Sequence, residues 1–209
     1  MKPIVTYIQN FFFPARCVFC DEAMDYRSLY HVCDKCSDEI KAFYTADGCF
    51  MFMDKIRSSV LRFKFAKATD YARTFGLIMA AQLKLRLDDI NFDVVVPMPI
   101  GKKRLRKRGY NQAALLAKVI ADELRLDFNE RTLIKTRETE VQSTLSKSER
   151  AKNLKGAFGI IDNKLNGKRV LLIDDVRTTG ASLDEASSAL LKHGKAISVF
   201  PWVFARVDT

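Results

Sequence analysis

Residues 170–182 read VLLIDDVRTTGAS. Val170 to Ile173 form a short apolar run that suits a strand buried inside a sheet. Two adjacent carboxylates, Asp174 and Asp175, end it, and the hydroxyls of Thr178, Thr179 and Ser182 follow around Gly180. In an open α/β sheet, ligands sit beyond the carboxyl ends of the strands. SLDEASSALLKH, starting at Ser182, reads as a helix capped by Ser182 and stopped by Gly194. Its N-terminus would aim free N–H groups and the positive end of the helix dipole at the same edge. Hydroxyls and a glycine suit an anion there, while the two aspartates suit the vicinal hydroxyls of a ribose. A sugar phosphate offers both halves. The plainer reading is a polar turn at the end of a strand.

Outward from this stretch, the chain alternates strands and helices. FDVVVPMP (92–99) reads as a buried strand stopped by Pro97 and Pro99, and RVLLI and AISVFPWVFA as further strands. TLIKT and GAFGII are two short ones. Helices are expected from about Asp54 to Phe65, over DYARTFGLIMAAQLKLRL, and over NQAALLAKVIADELR with Asn111 as cap. GKKRLRKRGY (101–110) reads as a basic loop, and RETEVQSTLSKSERAKN (137–153), almost without apolar residues, as a long mobile one. This order indicates an α/β domain around a largely parallel twisted sheet flanked by helices.

The formal charge is +10 over 209 residues. From Gly101 to Lys155 there are fifteen Lys or Arg against seven Asp or Glu, a net +8. Such clustering suits phosphate on a small molecule or on nucleic acid, or else a solvated face. No apolar stretch approaches a membrane span, and FFF at 11–13 is too short for a secretory signal, so a cytoplasmic protein without membrane insertion is expected. Cys17 and Cys20 in CVFC and Cys33 and Cys36 in CDKC place four thiolates where one tetrahedral, structural Zn²⁺ could take them all. Disulfides are the alternative, and Cys49 reads as a buried apolar residue. These readings divide the chain into a zinc-finger module, residues 1–48, and a second domain, residues 49–209.

VLLIDDVRTTGAS closely resembles the signature of the type I phosphoribosyltransferase fold, which binds 5-phosphoribosyl 1-pyrophosphate. Together with DVVVPMP…RKRGYNQAALLA, TRETEVQSTLSKSERAKNLKGAF and the double CxxC, it is similar to the competence protein F family over nearly the whole chain. The fold class expected is therefore type I phosphoribosyltransferase-like α/β with a small N-terminal Cys₄ zinc-finger module. The resemblance implies ribose contacts from Asp174 and Asp175. It implies a 5-phosphate loop of Val176, Arg177, Thr178, Thr179, Gly180, Ala181 and Ser182, the last standing where the family more often has Thr. Met98 stands where Val is common. Arg106, Arg108, Asn111 and Gln112 are implied near the diphosphate and its Mg²⁺, and Arg137 and Arg150, with Gln142 and Asn153, in a flexible catalytic loop.

Three functions follow from the residues and the resemblance. One is a competence protein that binds the phosphoribosyl donor and single-stranded DNA during DNA uptake. Tyr110 would then stack on bases, and Arg16, Arg27 and Lys35 of the knuckle would supply charge. The second is an active phosphoribosyltransferase releasing pyrophosphate to an unidentified acceptor. The third is a zinc-stapled scaffold docking other uptake proteins, with FFFP at 11–14 as an interface or else as core cover.

Overall fold

The structure, a computed structural model, describes residues 15–24, 30–45, 50–85, 91–138 and 154–207. Phe11 to Phe13, Arg27, Cys49, Gln142, Arg150 and Asn153 lie outside the described residues, as does most of the expected mobile loop. The helices are α1 (Asp34–Glu39), α2 (Asp54–Phe65), α3 (Tyr71–Lys84), α4 (Lys102–Arg108), α5 (Gln112–Leu124) and α6 (Ala181–Lys192), with a 3₁₀ turn over Ile40–Phe43. The strands are β1 (Phe50–Met51), β2 (Val94–Pro97), β3 (Asp127–Phe128), β4 (Leu133–Lys135), β5 (Phe158–Ile160), β6 (Arg169–Arg177) and β7 (Ser198–Arg206). Among the described residues no helix is long and apolar enough to cross a membrane.

Five strands form one sheet in the order β1-β7-β6-β2-β3, every neighbouring pair parallel. Its central strands are apolar at successive positions because both faces are covered. Val95, Leu171, Ile173, Trp202 and Phe204 point to one face, where they pack with Ile56, Val60 and Phe63 of α2, Phe75 of α3 and Leu116 and Ile120 of α5. Val94, Val96, Val170, Leu172 and Val203 point to the other and meet Leu183, Ala186 and Leu190 of α6. Alternate residues thus serve opposite cores. The expected parallel α/β sheet flanked by helices is the observed one. Asp93 pins the far edge: its carboxylate accepts two N–H bonds from the Arg169 guanidinium, at 3.0 and 2.7 Å, and one from the Arg169 backbone at 2.7 Å.

Three expectations need correction. GKKRLRKRGY is a helix, α4, rather than a loop. Lys, Arg and Leu are good helix formers, and no glycine or proline interrupts 102–108. Gly109 ends the helix at φ 87°, which a residue with a Cβ adopts only under strain. The strands TLIKT and GAFGII do not join the main sheet; β4 and β5 pair antiparallel as a separate hairpin. Finally, α6 starts at Ala181 with Gly180 as its N-cap, so Ser182 sits inside the first turn. At φ 81° Gly180 turns the chain sharply from the strand into the helix, and a bulkier residue would be strained there.

The N-terminal segment shares the first core. Cys17, Val18, Phe19 and Cys36 are buried in the same cluster as Phe50, Phe75 and Phe204. Phe19 meets Phe50 edge-on at 6.2 Å and Phe75 at 6.1 Å between ring centres.

Candidate functional site

β2 stops at Pro97, opposite Ile173 of β6, and Met98 N–H still donates to the Ile173 carbonyl at 2.8 Å. The chain then leaves the sheet, while β6 continues beside β7 as far as Arg177. Asp174 and Asp175 therefore lie where β6 has lost one neighbour, at a crevice beyond the end of β2. A cavity of about 340 Å³ opens there. One wall is Asp174 and Asp175. A second is the turn through Thr178 and Gly180 into Ser182 at the start of α6, and a third is α4 and α5, through Arg104, Arg108, Asn111 and Gln112.

The acidic wall is already partly neutralised. Lys64, the penultimate residue of α2, places its ammonium 2.9 Å from the Asp175 carboxylate, with side chains 20% and 10% exposed. Asp174 accepts the Asp175 backbone N–H at 2.9 Å. Burial and then the Asp175 charge push the Asp174 carboxyl up to about 7, against the pull of Lys64. On the basic wall, burial lowers the Arg108 pKa, and burial followed by repulsion from Arg104 lowers that of Lys135. Arg108 donates a short hydrogen bond to Gln112 Oε1, whereas Gln112 Nε2 is buried with no hydrogen-bond partner among the described residues. Asn111 caps α5 by position, but its side-chain amide donates to the Met98 carbonyl at 3.0 Å, pinning the turn after β2.

The four cysteines form a second centre. Their sulfurs all lie within 4.8 Å of one another and could hold a metal ion. All are free thiols; Cys17 and Cys36 are fully buried, Cys20 and Cys33 half-buried. Backbone N–H groups point at the sulfurs, Cys33 N at Cys17 Sγ and Cys36 N at Cys33 Sγ, both at 3.4 Å. Lys55 Nζ sits 3.8 Å from Cys36 Sγ. Burial raises the thiol pKa of Cys20 and Cys36. At Cys17 burial also raises it, but the N–H groups of Cys20, Cys33 and Phe19 outweigh that and hold it at about 7.

No protein-family model matches the chain. Competence protein ComFC of Bacillus subtilis is 32% identical over 157 residues, 75% of this chain and 62% of that protein. Competence protein F of Haemophilus influenzae is 28% identical over 220 aligned residues, covering 88% of this chain and 93% of its relative. The DNA utilization protein YhgH of Escherichia coli is 33% identical over 114 residues, 54% of this chain and 49% of that one. The chain is similar to competence protein F over most of its length. Among solved structures, an adenine phosphoribosyltransferase aligns with a TM-score of 0.48 at 14% identity, covering 82% of this chain and 89% of its own. Glutamine phosphoribosylpyrophosphate amidotransferase of Bacillus subtilis aligns with a TM-score of 0.42 at 20% identity, covering 62% of this chain and 25% of its own.

In this chain the cavity brings together Asp174, Asp175, Val176, Arg177, Thr178, Gly180, Ser182, Arg108, Asn111 and Gln112. Thr179, Ala181, Arg106 and Arg137 do not line it. Arg106 misses because the basic stretch is helical. Positions four apart share a face, so Arg104 joins Arg108 at the cavity and Arg106 turns away. Arg137 donates to the Lys155 carbonyl at 2.8 Å. Lys64, Arg104 and Lys135 were not among the expected residues. The helical spacing from Arg108 would have found Arg104. Nothing local to Lys64 signals a contact with a strand so distant in the chain.

Proposed function

We propose that the chain binds 5-phosphoribosyl 1-pyrophosphate in the 340 Å³ cavity, and binds single-stranded DNA, during DNA uptake. The observation that supports the first part is the pairing of two unlike walls around one space. Asp174 and Asp175 can accept hydrogen bonds from ribose hydroxyls, while Thr178, Gly180 and Ser182 at the start of α6 can hold a 5-phosphate. Arg104, Arg108 and the unpartnered Gln112 Nε2 supply donors for a diphosphate. A Mg²⁺ carried with the donor fits the same place. Two adjacent carboxylates, with one ammonium paired to Asp175, leave oxygen ligands for a hard cation. When bound, Mg²⁺ would offset the charge of the diphosphate; Asp174 and Asp175 are the residues to hold it.

Zn²⁺ in the cysteine cluster is part of the same reading. Four converging thiols with N–H groups aimed at their sulfurs suit a closed, structural Cys₄ site. Its ligands would be Cys17, Cys20, Cys33 and Cys36. The role in DNA uptake draws on the competence and DNA-utilization names of the relatives, and on the basic character of the chain.

Calorimetric titration with the phosphoribosyl donor tests the reading. Binding to the wild type should require Mg²⁺, and Asp175→Asn should weaken it at least tenfold without changing the zinc content. Wild-type protein that ignores millimolar donor, or an Asp174→Asn/Asp175→Asn double variant that binds it equally well, would sink the proposal.

A further inference from the structure

A second cavity, of about 430 Å³, adjoins the first and shares Lys64, Arg104 and Arg108 with it. Its other walls are Phe65, Lys67, Lys107 and Tyr110. Two features set it apart. No carboxylate lines it, and no ion pair among the described residues engages Lys67, Arg104, Lys107 or Arg108. Phe65, the last residue of α2, is 69% exposed at its rim, a large apolar ring left in water beside those cations. The Arg108 guanidinium lies over this ring, 5.2 Å from its centre. Lys67 follows at φ 57°, an uncommon conformation for a residue with a Cβ.

An exposed aromatic face surrounded by uncompensated cations matches a ligand with a flat ring and an anion. An acidic peptide would satisfy the cations but not the ring, and a bare polyphosphate would leave Phe65 in water. The volume suits one small-molecule unit. We propose that this second cavity is a nucleotide subsite, in which Phe65 stacks on the base while Lys67, Arg104 and Lys107 take its phosphate and, in a strand, the phosphates that flank it. This rests on the single-stranded DNA reading above and gives it a location. It also replaces Tyr110 as the stacking residue: the Tyr110 hydroxyl donates to the Phe63 carbonyl and its ring packs against Phe63, 6.3 Å between centres. The nucleotide could arrive free or as one unit of a strand, the recognised chemistry being the same.

The test is direct binding of dTMP and of a fluorescein-labelled oligo-dT to the full chain. A base-free polyphosphate and polyglutamate serve as competitors. Phe65→Ala should weaken binding of whichever nucleotide form binds by roughly 5- to 150-fold, the range that stacking of one base on one ring is worth. Phe65→Trp should restore it, and Lys107→Gln, exposed and harmless to folding, should weaken it separately. All of these variants should bind the phosphoribosyl donor like the wild type. Binding of dTMP points to free nucleotides as the source, and binding of the oligomer alone to strands. Oligo-dT binding left unchanged by Phe65→Ala, or base-free polyanions that compete as well as dTMP does, would overturn the subsite while leaving DNA binding itself intact. Failure of the wild type to bind any nucleotide would overturn both.

Discussion

Asp174 carries the most perturbed carboxyl facing the cavity. Its proton is held up to about 7 in the folded chain, against an ordinary value of 3.8. Between those values the folded protein keeps a proton that the unfolded chain has released. Its stability therefore falls as pH rises through this window and levels off above about 7. Asp174→Asn removes the proton and the slope together. Urea denaturation should find the variant more stable than the wild type at pH 8 and close to it at pH 4; equal midpoints for the two proteins at pH 8 would contradict the burial argument. Lys64 works in the opposite direction. With side chains 20% and 10% exposed, the Lys64–Asp175 pair is largely out of water, and removing one partner strands a charge. Lys64→Met should cost about 3 kcal/mol at pH 8. Adding Asp175→Asn to the same chain should recover most of that loss, and a double variant no better than the single one would show that the stranded charge is not its cause.

At the scale of elements, α2 ties the cysteine cluster to the cavity. Lys55 near its start reaches Cys36 and Glu39, Lys64 near its end reaches Asp175, and Arg62 donates to the Val18 and Phe19 carbonyls at 3.0 and 2.8 Å. Those two carbonyls lie between Cys17 and Cys20, so one guanidinium satisfies the backbone of the first knuckle. Arg62→Met should lower unfolding free energy by about 2 kcal/mol, as expected for half-buried hydrogen bonds to a charged donor, with denaturant midpoints as the measurement. If the four thiols hold zinc, its removal acts on the same junction. A chelator strong enough to strip the four thiols should lower the thermal midpoint and expose Phe19 and its ring neighbours, read as new dye binding; an unchanged midpoint would mean that the knuckle holds without metal. Much at this scale was legible beforehand. β2 and β6 announce themselves because a strand covered on both faces must be apolar throughout, and α3 and α5 because their apolar residues repeat on one face. α4 was not, since seven residues dominated by Lys and Arg have no apolar stripe, and charge alone does not distinguish a loop from a helix. Lys64 was invisible for another reason: its partner is chosen by how α2 crosses the sheet, which no local pattern encodes.

For the whole molecule, the net charge of +10 matters less than where it is left uncompensated. Lys84, Lys118, Lys41 and Arg169 face carboxylates at 2.6 to 2.8 Å and so present little free charge. Lys67, Arg104 and Lys107 cluster at the second cavity with none. If a single strand threads that cluster, three phosphates are neutralised and their counterions released. The logarithm of the association constant for oligo-dT should then fall with the logarithm of salt concentration with a slope near −2, about −0.7 for each phosphate engaged. Lys107→Gln should reduce the slope by about 0.7, whereas Lys118→Gln, whose charge Asp122 already meets, should leave it unchanged. A diffuse basic surface would predict something different, an equal loss from either substitution. Anisotropy titrations at four salt concentrations separate the two, because the slope counts contacts and is insensitive to modest changes in overall affinity.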